Sequence, residues 1–436
     1  MWVHPDFTHE PAPKRCPRSL RYALCFFILI LASAALFFLF FRFMSQIHVH
    51  MALNQIRQEY YGLAVNHLEK AAKYQPSDYS ISKKQGEVWF KIASFQGGSK
   101  SAYLSIKKSE DYLRQSLQAN PLDARTAYAL AKTELMLEKL HPRFNPDKAS
   151  PHDPMKYYQL AIRLRPNGIR YHYGLLYYFE DHGMKNEMLP IVRKLMRIYP
   201  YAYHQFKTEA FWSPDIRSAC MKGLKDNIKL KHFVKQSHLI LSTMMTKDKN
   251  WPEAVRHYGE AMKLKTFRNT AGNHIQLGRL FLQNNQFGEA ENSFSNALAV
   301  SRHPEKDLER LYYLYKREKK SNLFHNFYLR IKDGVFFSYR AEILAARALM
   351  DMTEYNKAKE ILDKLNRQTP KAEAYYWLAR IAEKKHDWDA MELSIQKATL
   401  YAPRNGLYHA VFAGVLRKMN KHERAAREAG LAKKYR

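Results

Sequence analysis

Hydrophobic positions along this chain fall into two regimes. From Tyr22 to Phe41 the sequence YALCFFILILASAALFFLFF runs for twenty positions without a charge, bracketed by Arg21 and Arg42. At about 1.5 Å of rise per residue, a helix of that length covers the roughly 30 Å hydrocarbon core of a bilayer. Beyond His50 the apolar and small residues recur in short helical segments. Prolines close these at Pro76, Pro121, Pro166, Pro200, Pro370 and Pro403, where a helix must stop. Pro166 to Pro200 is 34 residues and Pro370 to Pro403 is 33. The intervals Pro76 to Pro121 and Pro121 to Pro166 are each 45, so both carry about eleven extra residues. The extras are visible as Phe95 to Lys100 and as His141 to Pro154, HPRFNPDKASPHDP, whose four prolines predict a loop in place of helix.

The rhythm is clearest where Leu277-Gly278, Phe281, Phe287, Ala290, Phe294 and Ala297 follow one another. Partial copies occur as Ala64, Leu68, Ala71; as Ala254, Tyr258, Ala261; as Ala346, Tyr355, Ala358, Leu362; and as Leu378-Ala379, Trp388, Ile395, Ala398. This alternation resembles the tetratricopeptide repeat family, whose 34-residue unit is a pair of antiparallel helices, A and B. Small residues such as Gly278, Ala290 and Ala297 let the helices approach, and Phe281 and Phe294 fill the space between them. The resemblance covers the chain from about Met51 to the C-terminus in roughly nine or ten units. Two stretches fit poorly: Pro200 to Asn227, which lacks the small residues, and His303 to Gly334.

The expected fold class is therefore all-α: a right-handed solenoid of helix pairs preceded by one transmembrane helix. The expected domains are a basic terminus at 1–21, an anchor at 22–41, a first array at 51–200 with two loop insertions, an irregular helical segment at 201–232 and a second array at 233–436.

Charge sets the expected topology. Lys14, Arg15, Arg18 and Arg21 precede the apolar segment, whereas only Arg42 and Arg57 follow it closely. The positive-inside rule then keeps the N-terminus in the cytoplasm and exports the rest. Ala32-Ser33-Ala34 fits a signal-peptidase site, but apolar residues continue through Phe41, which favours an uncleaved anchor. No Asn-x-Ser/Thr sequon is present. Together these place the chain in a bacterial inner membrane, crossing once, with its repeats in the periplasm. Of three cysteines, only Cys220 lies in the repeats, beside Cys16 and Cys25 near the apolar segment. That excludes a disulfide within the repeats and a cysteine zinc site.

Lys and Arg number 71 against 41 Asp and Glu, a formal net charge of +30. Such an excess suits anionic partners. The repeat family binds ligands on the concave face lined by its A helices. Transferred onto this sequence, that register picks out Arg279, Arg347 and Arg380, with Arg340 and Arg417 nearby, and Arg170, Tyr173 and Tyr177 in an earlier unit. Arginine grips carboxylates and phosphates in bidentate fashion, and tyrosine offers flat surfaces to peptides or sugars. The run from Lys316 to Lys320 reads as a solvated helix end. His152-Asp153 and His386-Asp387 read as surface pairs. No phosphate loop, dinucleotide-binding glycine motif, HExxH or GxSxG elbow occurs. The expectation is a non-enzymatic scaffold without cofactor or metal. It would bind protein or peptide partners in a cell-envelope assembly for polysaccharide synthesis, export or secretion. Direct binding of an anionic polysaccharide in the basic groove is the alternative, and nucleic acid is disfavoured.

Overall fold

The computed structural model describes residues 18–145, 151–332 and 338–436, and among these every regular element is a helix. Lys14, Arg15, Cys16, the middle of the proline-rich loop and Gly334 lie outside the described residues. The chain forms two compact units, Met1–Asp226 and Asn227–Arg436. The first holds α1 (Arg18–Arg57), α2 (Tyr61–Tyr74), α3 (Tyr79–Phe95), α4 (Lys100–Ala119), α5 (Ala124–Phe144), α6 (Pro154–Leu164), α7 (Ile169–Asp181), α8 (Lys185–Ile198), the short α9 (Ala202–Phe206) and most of α10 (Pro214–Lys229). The second holds α11 (Val234–Lys247), α12 (Trp251–Met262), α13 (Ala271–Gln283), α14 (Phe287–Ala299), α15 (Pro304–Arg317), α16 (Ser321–Ile331), α17 (Tyr339–Asp351), α18 (Tyr355–Gln368), α19 (Ala372–Lys384), α20 (Trp388–Tyr401), α21 (Gly406–Lys418) and α22 (His422–Lys434). Within each unit odd-numbered A helices pair with the B helices that follow them, and each pair packs on the next. Helices α9 and α10 stand outside that rhythm.

Small residues sit where the pairs touch. Ala64, Ala71, Ala254, Ala261, Ala290, Ala297, Ala346, Ala358 and Ala398 are all fully buried. At Gly278 a methyl group would fall 2.4 Å from the ring of Phe294, so the crossing needs glycine. Phe294 itself meets Tyr315 and Phe327 edge to face. The pair α15–α16 lacks the small residues yet forms a full core, because Leu311, Tyr312, Tyr315, Phe324, Phe327 and Tyr328 occupy the space that alanines leave elsewhere.

Asp78, Ser99, Asp123 and Asp153 accept backbone N–H groups at the starts of α3, α4, α5 and α6. The turns from A to B carry a left-handed residue: Glu59, Gly97, Gly183, Lys249, Asn285, Lys319, Thr353, His386 and Asn420. From Asn285 onward these recur every 33 or 34 residues, so the repeat length is also written in the backbone.

Two local expectations are corrected. Helix α5 continues to Phe144 with Pro142 inside its last turn, so the first four residues of the proline-rich stretch are helical and Pro154 opens α6. Proline at 142 removes one N–H but leaves the remaining turn closed by Asn145 N–H to the His141 carbonyl, 2.8 Å. In addition, the first repeat starts within α1, before His50: Ser45, Val49 and Ala52 are buried against Ala64, Leu68 and Ala71 of α2.

Candidate binding groove

The A helices α1, α3, α5 and α7 of the first unit line a groove of about 1210 Å³. Its floor is apolar and aromatic, with Ile56, Val88, Phe90, Tyr128 and Tyr171. Its charged lining is lopsided: Lys83, Lys84, Lys91, Arg125, Lys132, Arg165 and Arg170 against Glu87 and Asp123. Asp123 is already held by Lys83 at 2.8 Å, and that bond keeps its carboxyl below the ordinary range despite burial, which alone would raise it. Lys132 stands over the Phe90 ring at 4.6 Å. The surrounding walls strip water from its ammonium, and Lys91 and Arg170 repel it, so its pKa is lowered. A lysine in that position gains from any carboxylate or phosphate placed beside it. The groove therefore offers unspent positive charge along an apolar floor.

Of the residues expected to bind, only Arg170 lines this groove. Tyr173 and Tyr177 lie on the same helix but turn to the α9 segment: Tyr173 packs on Phe206, and Tyr177 donates to Glu209 and accepts from Gln205. The five other arginines belong to the second unit. Arg340 bridges Glu309 and Glu373, tying α15 to α19. Arg347 is 9% exposed and lies between Tyr312 and Trp377, each 4.6 Å from its guanidinium carbon, while donating to the Tyr313 hydroxyl. Arg380 pairs with Glu383 one turn on. Arg279 and Arg417 make no ion pair among the described residues. The remaining groove cations escaped the sequence reading, although a sign was present: Lys84 and Lys91 on α3, like Arg125 and Lys132 on α5, are seven apart and so share one helix face.

Of the histidine–aspartate pairs expected at the surface, His386 and Asp387 are exposed, whereas His152 is structural. His152 is packed against Glu134, itself 1% exposed, at 2.8 Å. Burial raises the Glu134 pKa, and His152 and Arg114 counter that. Glu110 lies close enough to complete a three-ligand cluster with these two. Arg114, however, already bonds both carboxylates and the Tyr157 hydroxyl, so the cluster is a neutralised network joining α4, α5 and α6. Within the run from Lys316 to Lys320, Lys316 stays exposed while pairing with Asp351, and Lys320 donates to the Leu282 carbonyl. Leu175 and Leu176, on the same helix as Arg170, are buried.

Residues 343–402, from α17 through α20, match the tetratricopeptide repeat family model. Those residues are two helix pairs, and the same pairing recurs through both units. The chain carries tetratricopeptide repeats. Among curated proteins none matches it. Solved tetratricopeptide-repeat structures similar to it include MamA residues 41 to the end from Desulfovibrio magneticus RS-1, at 15% identity over 38% of this chain and 94% of that one, TM-score 0.29. Yeast Tom70 gives 13% identity over 90% and 92%, TM-score 0.31. YrrB, described as having an unusual peptide-binding site, gives 15% over 43% and 96%, TM-score 0.26. Tetratricopeptide repeats are scaffolds for binding protein or peptide partners, and nothing in this chain's motifs calls for catalysis.

Proposed function

We propose that this tetratricopeptide-repeat protein is a membrane-anchored scaffold that holds an acidic segment of a partner protein in the groove between α1, α3, α5 and α7. The observation that carries the reading is the excess of unpaired cations over an apolar, aromatic floor in that groove. An extended peptide could lay side chains on Phe90 and Tyr128 while its carboxylates meet Lys84, Lys132 and Arg170. The apolar stretch of α1 supplies the anchor: it is long and apolar enough to cross a membrane, and its side chains from Tyr22 to Phe40 are exposed. The flanking charges support a cytoplasmic N-terminus and a periplasmic array in a bacterial inner membrane. The setting that suits these features is a cell-envelope assembly, such as one for polysaccharide synthesis, export or secretion.

The test uses full-length protein in detergent with a fluorescent glutamate-rich peptide and its glutamine-matched control. Binding should favour the glutamate peptide, and Lys84→Glu with Arg170→Glu should weaken it at least tenfold. Equal binding of the two peptides would refute the charge-based reading. Preferential displacement by an acidic oligosaccharide would move the ligand from protein to glycan.

A further inference from the structure

Helix α1 contains neither glycine nor proline, and it runs unbroken from the apolar stretch into the first repeat. Side chains from Tyr22 to Phe40 are exposed, and the first fully buried one is Ser45, one turn beyond Phe41. A bilayer around this stretch therefore brings its surface against one end of the first unit.

The packing identifies that end. Helix α2 returns antiparallel to α1, and its last residue, Tyr74, meets the Phe41 ring at 5.7 Å. Ser116, near the end of α4, donates to the carbonyl of Tyr79 at the start of α3, 2.9 Å. Lys83 reaches Asp123 at the start of α5. Tyr128 on α5 meets Tyr171 on α7 at 5.3 Å. The turns from B to A helices, at 75–78, 120–123 and 165–168, thus share the side that faces the apolar stretch. Leu122 in the second turn is 77% exposed. Lys73, Arg125, Arg163, Arg165 and Arg170 are exposed around the three turns, and none makes an ion pair among the described residues. The acids there are occupied: Asp78 caps α3, and Asp123 caps α5 and holds Lys83. The opposite edge, with the turns from A to B, mixes Glu59, Asp153 and Asp181 with Lys100, Lys139 and Lys185.

We propose that the three B-to-A turns of the first unit rest on an anionic lipid surface, with Leu122 dipping into the headgroup layer and Lys73, Arg125, Arg163 and Arg165 facing lipid phosphates. This rests on the reading of α1 as a membrane anchor. Tyr74, beside Phe41, then sits at the depth where aromatic side chains gather at membrane interfaces. Basic clusters next to a spanning helix are drawn to anionic headgroups, and arginine stems cover apolar surface while their heads reach phosphate. Because the cations Arg125 and Arg165 also line the groove, its mouth opens toward the lipid surface.

The experiment reconstitutes the full chain, with Cys16 and Cys25 replaced by serine, into phosphatidylcholine vesicles with or without phosphatidylglycerol. A fluorophore is attached at Leu122→Cys or, as control, at Lys185→Cys. Brominated lipid should quench the Leu122 label several-fold more than the Lys185 label, and more in anionic vesicles. Combined Lys73→Gln, Arg163→Gln and Arg165→Gln should remove the dependence on anionic lipid. Equal quenching at the two sites overturns the proposal. Extraction by alkaline carbonate separates the two readings: release of the chain from the vesicles defeats the anchor and the surface contact together. Retention in the vesicles with an unquenched Leu122 label defeats the surface contact alone.

Discussion

At the scale of single residues, glycine shows how sharply position decides effect. At Gly278 an added methyl group meets the Phe294 ring, which is fully buried between Tyr315 and Phe327 and has nowhere to move. At Gly414, also inside a helix, nothing lies within 4 Å. Overpacking costs about 1–3 kcal/mol, whereas glycine to alanine in a helix gains up to about 1 kcal/mol. Gly278→Ala should therefore lower the urea midpoint and Gly414→Ala should raise it. The need for glycine at 278 was legible from the repeat register. The role of Arg347 was not, because a register that marks a groove-facing position cannot tell a free guanidinium from one already clasped by Tyr312 and Trp377 on adjacent helices. Histidine gives a second prediction at this scale. His238 lies 2.9 Å from His257, and burial is the main cause that lowers its pKa below the usual 6.5. On acidification the unfolded chain takes up its proton first, so stability is retained above pH 6.5 and falls as the pH drops below it. Melting temperature should decline over that window, and His238→Gln should flatten part of the decline. A remainder should persist, since burial also depresses His48, His172, His274 and His325.

At the scale of elements, pairing was readable wherever alanine and glycine recur at crossings, and it faded where bulk replaced them. The pair α15–α16 was obscure because its aromatic core departs from the small-residue pattern while obeying the same geometry. Continuity of α1 was missed for a different reason. The composition changes abruptly at Arg42, yet backbone hydrogen bonding is indifferent to which solvent the side chains meet. The A-to-B turns hold a feature that sequence alone conceals. Thr353 adopts φ 64°, a left-handed conformation that β-branched residues rarely take, in the turn between α17 and α18. The same site holds asparagine at 285 and 420, which tolerates it better. Thr353 is exposed, so relief of strain is not offset by lost packing. Thr353→Gly should stabilise the protein by about 1 kcal/mol, after the greater freedom of glycine in the unfolded chain is set against the strain removed. Equilibrium unfolding in urea measures it, and an unchanged or lower midpoint would show that this turn is not strained.

At the scale of the whole molecule, a net charge of +30 could in principle bind any polyanion by long-range attraction alone. The arrangement in the first unit predicts something more selective. In the second unit several arginines are matched to acids or aromatic rings, as Arg340, Arg347 and Arg380 illustrate, so their charge is partly committed within the fold. In the groove of the first unit only Asp123 and Glu87 oppose seven cations. Surface attraction between separated charges weakens once ionic strength brings the screening length to about 10 Å, near 0.1 M salt. Binding driven by the overall charge would therefore fade with salt in the same proportion whichever lysine or arginine is removed. Binding in the groove should behave differently. Lys84→Gln and Arg170→Gln should reduce affinity for a glutamate-rich peptide and flatten its salt dependence. Arg279→Gln and Arg417→Gln, which remove unpaired cations from the second unit, should leave both unchanged. Fluorescence titration of the full-length protein across a salt series distinguishes the two cases. An equal loss from all four variants would mean that net charge, and not the groove, holds the ligand.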